Sequence, residues 1–481
     1  MSAINIALNR FGLGARGDEA APANARAWLI GQFAAFEPAP PAIAALPGRR
    51  QIVTDIADFF GQFRQQKAAL PAPGLPLAPL PAAGGAAGGG AVQQARKFAR
   101  QAGRDTYAGA VGARVSVAVA SKAPFVERMV HFWANHFAVS IDKATVVGLA
   151  GNMEFEAIRP HVLGRFSDML SAVERHPAML LYLDQAQSIG PNSAIGQRAA
   201  ANAERKHGLN ENLAREILEL HTLGVRAGYS QADVTEFARA LTGWTVAGLA
   251  RGPLARLVGG APGDFAFVPA VHEPGARIIM GRHYAQPGAA QAQAVLDDLA
   301  RSPATAEHIA TKLARHFAGD TPPPALVERL KAAFLASDGD LSVLYRVLID
   351  APELWGEGAA KFRSPWEWSL AAMRALNLAN VPAQRTTGLL NELGQPVWRP
   401  GSPAGYEDFT ATWAGPDAVM RRVEAAGRIA IQAAGRVDAR ALGAKLYPGS
   451  LSPATKAALA NAESADQALA LLLVAPETLR R

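Results

Sequence analysis

Residues 210–244 read NENLAREILELHTLGVRAGYSQADVTEFARALTGW, and their spacing is that of two helices around a glycine turn. Leu213, Ile217 and Leu220 mark the buried face of the first helix; Val234, Phe237, Ala238 and Leu241 mark that of the second. Asn210 is placed to cap the first helix and Gly224 to end it. Ser230 and Asp233 have the spacing of a capping box on the second. Asn212, Glu216 and Glu219 share another face, and Arg215 stands four residues from both Glu211 and Glu219. Such a set is either an exposed ladder of ion pairs, each worth ~0.2–0.5 kcal/mol, or a partly buried cluster. In the cluster, Arg215 keeps one carboxylate charged while another binds a cation or moves a proton. Arg239, on the second helix, has the reach to join those carboxylates.

The same helical period extends along most of the chain. Of 481 residues, 49% are hydrophobic and 7% aromatic, and alanine, the best helix former, is abundant. The expected fold is mainly α: a large multi-helix body with one small β-hairpin insertion. Residues 1–68 form an N-terminal helical region, and 69–92, rich in Pro, Gly and Ala, a linker or disordered loop. Residues 93–246 form the helical core. The glycine-rich stretch 247–286 carries short strands, with Asp264 to Val268 alternating, and 287–481 return to helices.

Lys and Arg number 48 against 41 acidic residues, a net charge of +7 without a basic stripe, which disfavours a nucleic-acid partner. The absence of cysteine excludes disulfides, thiolate catalysis and sulfur-ligated metal sites. Arg10, Arg16, Asp18 and Glu19 interrupt the apolar core a signal peptide needs, and no apolar run approaches the ~20 residues of a membrane span. The expected protein is soluble, in the cytoplasm or co-exported to the periplasm with a partner.

Three further segments carry polar groups. In Lys122–Ser140, KAPFVERMVHFWANHFAVS, His136 shares the stripe of Phe125, Met129 and Phe132, whereas His131 falls on that of Arg128 and Asn135. The two histidines lie about 140° apart on a helix and cannot chelate one metal. His136 reads either as a hydrogen-bonded core residue or as a ligand or general base. His272-Glu273-Pro274-Gly275 forms a turn whose histidine is placed to complete a site on the helical body. Lys312 to Phe317 reads as an amphipathic helix end whose cations suit the dipole. His176 flanks a helix opened by Pro177, and Trp366 and Trp368 read as packing residues.

Several of these segments, taken in order, resemble the bacterial family called domain of unknown function 1800. They are NRFGLG near the start, Phe132-Trp-Ala-Asn-His-Phe137, His176 to Asp184, Asn210 to Glu216, Tyr229 to Val234, Ala240 to Trp244 and the His272 turn. The resemblance implies a largely helical fold and names no reaction. It further implies a secreted neighbour similar to sulfatases and alkaline phosphatases, which could carry this chain's export. Ala134, His221 and Glu273 stand where the family often has His, Phe and Asp.

The expected function is a hydrolase-like enzyme. In its metal-assisted form Glu216, Glu219, His136 and His272 hold a divalent cation such as Zn, Mn or Fe. In its metal-free form Glu216 and His136 are acid and base, and in either form Arg215 or Arg239 holds anionic groups. The alternative is a non-catalytic partner that assists folding, export or assembly of the sulfatase-like protein.

Overall fold

A computed structural model of the chain describes residues 2–68, 87–201, 208–250, 255–356, 361–378, 380–433 and 436–481. The fold is mainly α, as the periodicity predicts. Among the described residues the sheets are two antiparallel pairs. Strands β1 (Trp244–Val246) and β2 (Phe265–Phe267) pair across the glycine-rich stretch. Strands β3 (Arg277–Ile279) and β4 (Arg282–Tyr284) form a tight hairpin. Its two turn residues, Met280 and Gly281, both have positive φ, the backbone a two-residue hairpin turn requires. The single hairpin expected is therefore two, and the first begins before residue 247. Most of the Pro/Gly/Ala segment, 69–86, lies outside the described residues, whereas 87–92 belong to the helix Ala87–Ala120.

Two helices build the centre. Pro124–His136 opens with proline at its first turn and carries Trp133, so we call it the tryptophan helix. Pro303–Ala318 opens with Ser302 as cap and Pro303 behind it, and we call it the lysine helix. Their apolar faces meet through Phe11, Phe125, Phe317 and Tyr345, with ring centroids 5.4 to 6.0 Å apart. Each such pair adds about 0.5–1.5 kcal/mol beyond area burial. Trp133 donates its indole N–H to the buried Tyr345 hydroxyl at 2.7 Å, tying the tryptophan helix to the helix Leu341–Asp350. A second apolar cluster joins the helix Pro365–Ala375 to the helices of residues 416–473 through Trp368, Ala426, Leu446 and Leu472.

Among the described residues three five-residue π-helical turns interrupt the pattern: Ala7–Phe11, Glu154–Ile158 and Ile217–His221. A π turn shifts the side chains that follow it and leaves the ladder short of its regular bonds. Two of these turns lend freed carbonyl groups to the tryptophan helix. Arg128 Nε donates to the carbonyls of Phe11 and Gly12, and His136 donates to that of His221. The third begins at Glu154, which accepts from Arg114 and Trp398 at 2.9 Å each. All three therefore shape one region of the molecule.

Candidate functional site

The tryptophan and lysine helices, the start of helix Pro365–Ala375 and residues 395–408 enclose a cleft of about 140 Å³. Asn135 holds the last of these in place. Its amide accepts from Tyr406 N at 2.7 Å and donates to Tyr406 O at 2.8 Å. Gly405 makes the approach possible: it has φ +81°, and a Cβ there would stand 2.2 Å from the Asn135 carbonyl oxygen.

His136 lies in the cleft wall with both ring nitrogens committed. Nε2 lies 3.1 Å from the His221 carbonyl oxygen, which can only accept, so Nε2 carries the proton. Nδ1 is then a lone pair, and it accepts from Lys312 Nζ at 3.0 Å. Burial first, then Lys312, hold His136 well below its ordinary pKa, so the ring stays neutral. Lys312 thus has an uncharged neighbour where a lysine usually finds a carboxylate. Burial lowers its pKa to about 8, opposed by the more distant Asp408. Among the described residues no carboxylate stands within ion-pair distance of Lys312 or of Arg315, one turn further on. Arg315 lies over the Phe409 ring at 4.8 Å, and its buried Nε has no partner.

Most other polar groups of the cleft are paired; the exposed Glu407 also lines it, and its charge favours the ammonium form of Lys312. His316 Nδ1 lies 2.9 Å from Asp408 Oδ2, while Nε2 faces Arg128 and Arg481, each at 3.4 Å. Two guanidinium groups against Nε2 require a lone pair there, so His316 is neutral and donates to Asp408. Burial opposes ionisation of Asp408, but His316, Lys361 and Arg481 outweigh it and hold the carboxyl far below its ordinary value. Glu367 is likewise held down despite burial, because Arg481 and Arg128 both face it. His131 accepts from Trp366 Nε1 at 3.2 Å, which leaves Nε2 as its N–H. Arg114, paired with Glu154, lies over Trp366 and Trp398 at 4.3 and 5.1 Å. Lys312 and Arg315 are therefore two positive charges of the cleft left without an ion pair among the described residues.

The residues singled out in the sequence divide. His136 is in the cleft. Glu216 is half-buried; burial raises its carboxyl, with the His221 ring nearby opposing. It makes no bond to His136, so the Glu216/His136 acid–base pair is not formed as expected. Glu219 bonds Tyr229 and stands near enough to Glu216 for its charge to raise that carboxyl further. Arg215 bonds Glu211 and Gln231 at the surface, the ion ladder of the first reading. Arg239 pairs with Glu236 of its own helix rather than reaching the first. His272 donates from Nδ1 to the Thr242 carbonyl at 2.8 Å, and Glu273, buried, accepts from Asn192. Among the described residues no three His, Asp or Glu side chains stand together as metal ligands, so Glu216, Glu219, His136 and His272 do not converge.

Several expected details hold. Ser230 and Asp233 form the capping box, Gly224 ends the first segment with φ +94°, and His176 is the N-cap of its helix. Asn210 caps one residue early, accepting from Asn212 N. Lys312, Arg315, Asp408 and Glu367 were not among the expected site residues. His308, Lys312 and His316 recur every four residues beside the apolar stripe of Ile309, Leu313 and Phe317, and that polar stripe was legible. Asp408 had no local signal.

A second buried pair lies behind the cleft. His221 Nδ1 is 2.7 Å from Glu174 Oε1, with both side chains fully buried. His221 Nε2 and Glu174 Oε2 have no partner.

Among the described residues no helix is long and apolar enough to cross a membrane. Neither a curated protein nor a solved structure matches the chain. The profile of a family described as a protein of unknown function, DUF1800, matches residues 6–480, nearly the whole length, and the chain belongs to that family.

Proposed function

We propose that the protein is an acid–base enzyme acting on a small anionic substrate in the cleft between the tryptophan and lysine helices. One observation carries this reading: Lys312, lining the cleft, is hydrogen-bonded to a neutral imidazole and paired with no carboxylate. An ammonium so placed costs stability, and a group kept at such a cost is a candidate for chemistry. With a pKa near the working pH, Lys312 both holds and releases a proton readily. The base in this reading is Lys312 rather than Glu216, and His136 positions it by offering a fixed lone pair. Arg315 supplies positive charge for the substrate anion. The Asp408–His316–Arg128–Glu367–Arg481 network carries no mobile proton; it holds the wall rigid.

The test is a turnover screen of small esters, carboxylates and phosphate and sulfate compounds with the wild type beside Lys312→Ala. The reading expects turnover that rises with pH around 8 and falls at least about 100-fold in the variant. Turnover indifferent to Lys312 would overturn it. Absence of turnover, with co-purification of a sulfatase-like secreted protein unaffected by Lys312→Ala, would favour the non-catalytic partner instead.

A further inference from the structure

Lys312 and Arg315 lie one turn apart on the lysine helix, and both line the cleft. Each is a cation without a carboxylate partner among the described residues, and Arg315 Nε is buried and unbonded. Other cations of the region are spent: Arg128 on Glu367, Arg114 on Glu154, Lys361 on Asp320 and Asp408. A single ligand that satisfies both groups needs a negative charge for the guanidinium and an electrophile for the amine. The space is small, about 140 Å³. A protein cavity of roughly 150 Å³ accommodates benzene, and pyruvate has as many non-hydrogen atoms.

We propose that Lys312 forms an imine with small 2-oxo acids in this cleft while Arg315 holds their carboxylate. This rests on the reading of Lys312 as the reactive group of the same site, changes its role from base to nucleophile, and names the substrate class. The unprotonated Nζ attacks the keto carbon; the C–N bond forms as the carbonyl π bond breaks, and a proton passes from nitrogen to oxygen. The resulting carbinolamine loses its hydroxyl with the second amine proton, so one water leaves and a C=N bond remains. No oxidant or reductant is consumed. His136 holds Nζ toward the cleft through a bond that needs no charge on the ring. Desolvation and the absence of a counter-ion favour the free amine, as in other imine-forming lysines.

The experiment is reductive trapping. The full-length protein is incubated with pyruvate or glyoxylate and cyanoborohydride near pH 8, and the modified residue is found by peptide mass mapping. Lys312 is expected to be modified first, about tenfold or more faster than Lys331, which is ion-paired with Glu307, because the neighbours of Lys312 favour the amine form. Arg315→Gln should slow trapping of the oxo acids about tenfold or more by removing the charged hydrogen bond. It should slow trapping of propionaldehyde, a small neutral carbonyl, far less, because there the variant acts only through the lost Arg315 charge that favours the free amine. Lys312→Arg, which keeps the charge, should fold with an unaltered circular-dichroism spectrum and give no adduct.

Modification spread over surface lysines with no preference for Lys312 would overturn the proposal. So would an Arg315→Gln variant that traps oxo acids at the wild-type rate. If Lys312 governs turnover in the screen above yet is never trapped, the imine is overturned and the acid–base reading stands. If neither trapping nor turnover depends on Lys312, both fall.

Discussion

At the scale of single residues, the site is defined by one proton's location. His136 must carry its proton on Nε2 because the His221 carbonyl can only accept, and this turns Nδ1 toward Lys312. The consequence is measurable as stability. Lys312 has a pKa near 8 when folded and near 10.5 when unfolded. Below about 8 both states are protonated and the folded state bears the full cost of the buried ammonium. Between 8 and 10.5 the unfolded chain binds more protons, so unfolding becomes harder as pH rises. Lys312→Met should therefore melt higher than the wild type at pH 7, by up to roughly 3 kcal/mol from the pKa difference alone. The gap should close as pH rises toward 10, and thermal melts across that range check it. None of this could be seen in the sequence. The stripe of His136 was legible, but the identity of its two partners depends on chain segments 85 and 176 residues away.

At the scale of elements, the π turns decide what reading by period can find. The first helix of the 210–244 segment lies where the spacing places it, with its glycine end, though Asn210 caps it one residue early. Its carboxylates Glu216 and Glu219 act on each other, as their spacing implies, but neither bonds His136. The π turn Ile217–His221 offers the His221 carbonyl to His136, an irregularity that helps to build the site and that the period does not reveal. Thr222, fully buried, closes the turn by donating its hydroxyl to the Ile217 carbonyl at 2.6 Å. Thr222→Val should cost about 1–2 kcal/mol and lower the melting temperature. It should also slow oxo-acid trapping at Lys312, because His136 loses its fixed support. Gly224, just beyond, faces His308, with a Cβ there 2.5 Å from Nδ1. Gly224→Ala should destabilise more than the cap substitution Ser230→Ala, which costs about 1 kcal/mol; urea melts of both variants rank them.

At the scale of the whole molecule, the cleft is where distant parts of the chain are tied together. Glu367 accepts from Arg128 and is ion-paired with Arg481, and Lys361 exchanges backbone hydrogen bonds with Arg481. The mainly helical architecture was plain from composition and period, whereas this knot joins groups over 100 residues apart and leaves no local trace. Glu367→Gln should destabilise by about 3–5 kcal/mol, since it leaves buried arginines uncompensated. In the wild type that stabilisation is present at neutral pH and is lost as pH falls below the ordinary carboxylate range, because both Glu367 and Asp408 are held down in the fold. Acid titration followed by circular dichroism should show an earlier transition in Glu367→Gln than in an exposed-pair variant such as Glu392→Gln. Lys312 stands beside this knot but outside its ion pairs, and the account depends on that separation. The most direct measurement is the titration of Lys312 itself, by NMR of protein carrying ¹³C at lysine Cε and assigned through Lys312→Arg. The account predicts a midpoint near 8; a midpoint at 10.5 or above, as for an ordinary exposed or carboxylate-paired lysine, would contradict it.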